Sequence, residues 1–282
     1  MSIQGNLLSG KVCCITGGTS GIGKETALEL ARMGAIIVLP ARNLALAEQV
    51  KQEITEATGN SNIDIMSCDM VSFVSIMSFA KAFQAKYDRL HILINNAGIM
   101  ERTRKVSRDG IELTFAVNHL APFLLTKLLL ETVRQSAPAR IVNVSSEAHK
   151  NGNINFDDIE GKQQFSGFRA YAQSKLANIL FTRKLASTLM GTGITVNALH
   201  PGVVATNIFN VIPPFLRPLA KMFMLTPQQG AETSIYLASS PEVANITGEY
   251  FNKKKLSLTS QKAQSAELAD KLWSLSEQYI SV

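Results

Sequence analysis

Cysteine is scarce in this chain, with three residues, Cys13, Cys14 and Cys68, in a length of 282. The count is odd and no pair has C-x-x-C spacing, which excludes a disulfide-built scaffold and argues against a structural metal site. Buried, reduced thiols in the cytoplasm or another reducing compartment are the expectation. Aromatic residues make up only 7%. The net charge of +6 is not gathered into a Lys/Arg stripe interleaved with aromatics, so nucleic acid is not an expected partner. The one basic run, Lys253-Lys254-Lys255, reads as solvated surface. A membrane-length apolar run is missing too. Residues 185–216 carry no Asp, Glu, Lys or Arg, but Gly191, Gly193, Asn197, Pro201, Gly202, Pro213 and Pro214 interrupt them. A spanning helix needs about 20 continuous apolar residues, so this stretch reads as buried strand plus loop and no transmembrane segment is expected. Residues 1–10 lack the basic-then-apolar pattern of a secretory signal.

What is present is a 46% hydrophobic composition and an alternation of short apolar runs with helical patterns. Strands are predicted at 11–16, 35–39, 63–67, 91–95, 140–145, 195–200 and 249–251. Helices are predicted at 21–33, 44–58, 71–87, 118–134, 171–189 and 227–239. Near-continuous apolar strands separated by helices imply a parallel sheet covered on both faces. The expected fold is therefore α/β, a single-domain doubly wound, Rossmann-type sheet of about seven strands over residues 1–282. Its ligand should lie outside the carboxyl ends of the strands.

The segment Thr16-Gly17-Gly18-Thr19-Ser20-Gly21-Ile22-Gly23 joins the first strand to the first helix. Glycines there allow a tight turn and let backbone N–H groups approach a pyrophosphate at a helix N-terminus. The spacing differs from G-x-G-x-x-G. It resembles the T-G-x-x-x-G-I-G loop of the short-chain dehydrogenase/reductase family. Asn95-Asn96-Ala97-Gly98 is similar to that family's N-N-A-G, Tyr171-Ala172-Gln173-Ser174-Lys175 to its Y-x-x-x-K, and Pro201-Gly202 to its P-G. Asn118 and Ser146 stand where the family keeps an Asn and a Ser. The ordered set spans roughly residues 11–251.

The resemblance implies a nicotinamide cofactor held by Gly17, Thr19, Ser20, Gly21, Ile22, Gly23, Asn96, Ala97, Gly98, Pro201, Gly202, Val204 and Thr206. It places Asp69 and Met70 at the adenine, although Asp69 would equally well cap the next helix. The residue ending the second strand reads the adenosine ribose, and an acid there favours NAD. Here that position is Ala41, followed by Arg42, which leaves room for a 2′-phosphate and offers it a planar cation. NADP(H) is the expected cofactor.

Tyr171 and Lys175 are four apart on a predicted helix and share a face. A free tyrosine ionises near pH 10, so a nearby cation is needed for proton exchange at neutrality. The implied catalytic set is Asn118, Ser146, Tyr171 and Lys175. Tyr171 exchanges the proton, and Ser146 donates to the carbonyl oxygen. Lys175 supplies charge and holds the nicotinamide ribose, while Asn118 positions a water. Ser145 competes locally with Ser146; the family pattern favours the last serine of the run. His149 and His200 read as structural.

The 25-residue gap between Ser146 and Tyr171, the run Ser145-Ser146-Glu147-Ala148-His149, His200-Pro201-Gly202-Val203-Val204 and the tail from Gly248 to Trp273 resemble the retinol dehydrogenase-like branch. That implies a lipophilic aldehyde, ketone or alcohol, retinoid-like or otherwise apolar. Residues 203–226 stand where relatives keep a substrate lid, and their apolar character suits such a substrate. Arg217 and Lys221 would suit peripheral membrane contact. The apolar faces of 122–134 and 171–189 would suit either a homo-oligomer or internal packing. Two other functions stay open: an NADPH-binding regulator or scaffold without turnover, and an enzyme similar to protochlorophyllide reductase.

Overall fold

The computed structural model describes residues 7–203 and 225–281. Its strands are β1 (Val12–Ile15), β2 (Ile36–Ala41), β3 (Ile63–Ser67), β4 (Ile92–Asn95), β5 (Ala139–Val144), β6 (Ile194–His200), β7 (Tyr250–Asn252) and β8 (Lys255–Leu256). They form one sheet in the order β3-β2-β1-β4-β5-β6-β7-β8, with every pairing parallel except β7–β8. The expected α/β fold is thus observed. The addition is β8, a two-residue strand that folds back on β7 through Lys253 and Lys254, both at positive φ (50° and 62°). The lysine run is exposed, as expected, but it forms a hairpin turn that its composition does not announce.

Helices α1 (Gly21–Arg32), α2 (Leu44–Thr58), α3 (Phe73–Lys86), α4 (Leu113–Phe115), α5 (Ala121–Arg134), α6 (Gly167–Thr188), α7 (Pro227–Ser239) and α8 (Ala266–Ile280) cover the sheet on both faces. Strand periodicity divides the core in two. Cys13, Ile15, Ile37 and Leu39 pack with Leu30, Val50 and Leu237 from α1, α2 and α7. Val12, Cys14 and Val38 pack with residues of α3, α5, α6 and α8 on the other face. All three cysteines are buried thiols.

Local chemistry explains the element ends. Asn43 and Ser72 cap α2 and α3 by accepting the Leu46 and Ser75 N–H groups, and Gly59 ends α2 at φ 74°. Two helices start earlier than the sequence predicts. Helix α6 begins at Gly167 rather than Tyr171, because its first turn packs on the chain at Glu101. A Cβ at Gly167 would lie 2.1 Å from the Glu101 carbonyl oxygen. The helix expected from Asn118 begins at Leu113 and passes through a π turn at Ala116–Leu120 before α5. Pro122 sits at the start of α5, where a missing N–H is tolerated. By length and composition the stretch Leu113–Arg134 could cross a membrane, but 78% of its most apolar window is buried inside the fold.

The apolar faces of α5 and α6 pack internally. Trp273 of α8 packs edge-on against Phe123 of α5 at 4.9 Å and tilted against Phe181 of α6 at 6.0 Å between ring centres. Lys127–Glu277 and Lys184–Asp270 ion pairs flank it.

Candidate active site

The strand order reverses between β1 and β4, where a doubly wound sheet offers its ligand crevice. A cleft of about 810 Å³ opens there along the carboxyl ends of the strands, within the usual size of cofactor sites, about 300–1,000 Å³. Among its walls are Gly17, Thr19, Ser20, Gly21, Ile22, Gly23, Arg42, Asp69, Met70, Asn96, Ala97, Gly98, Ser146, Tyr171, Lys175, Pro201 and Gly202. Every expected site residue within the described chain except Asn118 is thus brought to one cleft. Val204 and Thr206 lie outside the described residues, as does most of the expected lid at 203–226. The residues that flank that segment are joined, since Leu225 N donates to Val203 O at 2.9 Å.

The first end of the cleft is backbone. Gly17 (φ 66°) and Gly21 (φ 52°) adopt left-handed conformations that a side chain would strain. At Gly23 a Cβ would fall 2.2 Å from Gly17 O. Ser20 is the N-cap of α1, yet its side chain caps nothing and no acid occupies the first turn. The first N–H groups of α1 are therefore left for an anion at the positive end of the helix dipole. Thr16 fastens this loop to the next. Its Oγ1 accepts from Asn96 N and Ala97 N, both at 3.0 Å, while Asn96 Nδ2 donates to Thr16 O at 2.8 Å. Sequence reading named Asn96 and Ala97 but not Thr16 as their anchor; its place at the end of β1 was the available signal.

The middle of the cleft is the rim at β2. Ala41 ends that strand and Arg42 lies exposed beside it. Asp69 does not cap α3, because Ser72 does. Its Oδ1 instead accepts from Val71 N at 3.3 Å, and its Oδ2 lies 3.3 Å from Arg108 Nη2.

At the far end, Ser146 follows β5 while Tyr171 and Lys175 project from α6. Ser146 and Tyr171 line the same end of the cleft. Lys175 Nζ lies 5.5 Å from the centre of the Tyr171 ring and donates to Val144 O at 3.0 Å. Burial drives both groups toward their neutral forms. The phenol pKa is raised by that burial, an effect the neighbouring Ser146 hydroxyl opposes, and the ammonium is pushed down to about 8. Ser145 also borders the cleft, but its hydroxyl is committed to Lys175 O at 2.7 Å. Asn118 sits in the π turn behind the wall. Its Oδ1 accepts from Ile99 N at 2.8 Å, and its Nδ2 donates to Ile99 O and to Ser174 Oγ. Its side chain clamps the strand-four loop to α6.

Two histidines read as structural differ in position. His149 is buried, with Nδ1 2.7 Å from Ser146 O, so it supports the serine from behind. His200 lines the cleft, and its Nδ1 has no hydrogen-bond partner. The open first turn of α1, the glycine cradle and the buried phenol–ammonium pair together fit a nicotinamide dinucleotide: anion at one end, proton exchange at the other. No group of His, Cys, Asp and Glu suited to a metal ion occurs among the described residues.

Comparison with known proteins agrees with this geometry. Residues 11–215 match the family model described as short chain dehydrogenase. Retinol dehydrogenase 14 of Homo sapiens is 44% identical over 290 residues, covering 96% of this chain and 86% of that protein. Among solved structures, an uncharacterised protein from Mycobacterium paratuberculosis superposes with a TM-score of 0.81 at 31% identity, covering 97% and 94% of the two chains. The RhlG/NADP active-site complex of Pseudomonas aeruginosa superposes with a TM-score of 0.73 at 26% identity, covering 89% and 97%.

Proposed function

This chain belongs to the short chain dehydrogenase family, an oxidoreductase acting on a CH–OH/C=O pair, and from that premise we propose that it uses NADP(H) and a lipophilic carbonyl or alcohol substrate. The observation that carries the reading is the meeting of the Ser146 hydroxyl, the Tyr171 phenol and the Lys175 ammonium at one end of a cleft whose other end is a glycine cradle. The nicotinamide ring, when bound, supplies or takes the hydride and, when oxidised, adds positive charge near the phenol. In reduction Tyr171 gives its proton to the substrate oxygen, and in oxidation it takes that proton back. Ser146 donates a hydrogen bond where negative charge develops on the oxygen. Lys175 lowers the cost of the phenolate and holds the ribose. Asn118 fixes the Ile99 loop against α6.

Preference for NADP(H) is supported by Ala41 and Arg42 at the β2 rim, where no carboxylate would repel a 2′-phosphate. A lipophilic substrate is supported by Ile99, Met100 and Val203 on the cleft wall and by the retinol dehydrogenase relatives. The test is a panel of retinal, medium-chain aldehydes and small polar ketones assayed with NADPH and NADH. Turnover is expected on the apolar members with NADPH. Tyr171→Phe should bind NADPH normally while losing roughly 10²–10⁴-fold in kcat. Equal turnover by that variant would remove Tyr171 from the chemistry. Cofactor binding with no turnover on any carbonyl would favour the regulator or scaffold.

A further inference from the structure

The serine at the reaction end of the cleft is held by the residue three places after it. Ser146 opens a tight 3₁₀ turn, Glu147–Asn151, and its Oγ accepts the Ala148 N–H at 3.2 Å. Its own hydrogen is thereby left for an acceptor in the cleft. The Ser146 carbonyl oxygen has two lone pairs, and His149 engages it twice, through its backbone N–H at 3.0 Å and its ring Nδ1 at 2.7 Å. The turn is seated on the helix that carries Tyr171 and Lys175. Gly152 N donates to His149 O at 2.9 Å, and a Cβ at Gly152 would stand 2.6 Å from Ala172 O and 2.8 Å from Leu176 Cβ. The chain beyond β6 meets the same imidazole, which is 0% exposed. Tyr250 of β7 packs edge-on against it at 4.9 Å and donates its hydroxyl to Glu147 Oε1 at 3.0 Å. Past β8, Ser260 N donates to His149 Nε2 at 3.4 Å.

Neither partner of this ring can change role, because both are backbone groups. The Ser146 carbonyl only accepts, so Nδ1 carries the proton. The Ser260 N–H only donates, so Nε2 does not. The other neutral tautomer would set a lone pair against the carbonyl and an N–H against an N–H. A doubly protonated ring would keep the second of these clashes. Burial also favours the neutral ring, holding its pKa below the ordinary value.

We propose that His149 is a positioning residue which, as its Nδ1–H tautomer, fixes the Ser146 carbonyl and through it the direction in which the Ser146 hydroxyl meets the substrate oxygen. The carbonyl's direction sets ψ of Ser146, here 156°. With ψ held and Oγ tied to Ala148 N, the hydroxyl rotor is the freedom that remains. A donor placed in advance stabilises developing charge without reorganising at the moment of reaction. The segment after β8, through Ser260, and β7, through Tyr250, thereby brace the reaction end of the cleft from a distant part of the chain. The inference rests on the reading that Ser146 donates to the substrate oxygen.

The full chain tests this in two independent ways. Long-range proton–nitrogen NMR of the four histidine rings, assigned by the signal lost in His149→Asn, should show His149 protonated at Nδ1 and bare at Nε2. Protonation at Nε2 would overturn the proposal whether or not a substrate has been found, which keeps its failure separate from failure of the functional reading. In kinetics, His149→Phe removes both ring nitrogens, His149→Asn keeps a donor near the Nδ1 position, and His149→Gln places its amide near Nε2. The Phe and Gln variants should lose about tenfold in kcat with the KM for NADPH unchanged, and the Asn variant should recover most of that loss. A purely structural histidine would give losses that follow Tm instead of this Asn–Gln split. In a Ser146→Ala background, His149→Phe should cost nothing further. A wild-type kcat in His149→Phe, or a loss that multiplies with that of Ser146→Ala, would refute the positioning role. Full turnover by Ser146→Ala alone would sink the functional reading of that serine, and with it the role of its support. Where the Phe variant does not fold, the Asn–Gln comparison carries the same test.

Discussion

Replacing Gly23 by alanine tests the cofactor cradle most directly. A Cβ there would stand 2.2 Å from Gly17 O and 2.5 Å from Asn96 Nδ2. A relaxed carbon–oxygen contact needs roughly 3.3 Å, so the loop must retreat by about 1 Å. Neither obstacle is a loose side-chain end, since one is backbone and the other is tied to Thr16 O at 2.8 Å. Overpacking of this kind costs about 1–3 kcal/mol, offset by up to about 1 kcal/mol because alanine favours the helix. The net loss of about 1–2 kcal/mol should lower Tm by a few degrees. Cofactor affinity should suffer more specifically. Displaced amides lose charge-assisted hydrogen bonds worth about 1.5–3 kcal/mol each, so NADPH binding should weaken at least about tenfold. Gly59→Ala is the control. Its φ is 74° and its Cβ would meet nothing within 4 Å, so it should cost about 1–2 kcal/mol in strain with no change in affinity. The assay is NADPH fluorescence titration beside thermal melts for wild type and both variants. Wild-type affinity in Gly23→Ala, or equal weakening in Gly59→Ala, would refute the argument.

Lys175→Met should abolish turnover and raise Tm at pH 7. Burial holds the folded Lys175 pKa at about 8, below its ordinary 10.5, so the charged folded side chain carries a penalty of up to about 3 kcal/mol. As pH rises from 8 to 10.5 the unfolded chain keeps a proton the folded one has lost, so the wild type regains stability and the variant's advantage shrinks. An unchanged Tm at pH 7 would count against this. At the acid side, burial holds His91 and His119 near 4, and His91 Nδ1 accepts the Val12 N–H at 3.1 Å. The unfolded chain takes protons first, so the denaturation midpoint should fall as pH drops from about 6.5 to 4; a flat profile would contradict it. Arg42→Ala should raise the KM for NADPH about tenfold or more and leave that for NADH unchanged. An equal rise for both would remove Arg42 from 2′-phosphate recognition.

The sequence alone carried the parallel α/β pattern and most of the cleft. Those features are written locally: apolar strands such as Val12–Ile15, glycines at left-handed backbone angles that side chains rarely adopt, and a tyrosine and lysine one helical turn apart. A run of adjacent residues can state such requirements by itself. The early start of α6 at Gly167 was hidden because glycine there answers to Glu101, far away in the chain. Likewise, the role of positioning a water was expected of Asn118, but that its amide also joins Ile99 and Ser174 was decided by the π turn. The packing of α8 on α5 and α6, through Trp273 against Phe123 and Phe181, likewise depended on where that distant helix lands. The sharing of Val144 O by Lys175 and Asn178 joins β5 to α6. Contacts of this kind arise from which elements meet in space, so tertiary structure decided them.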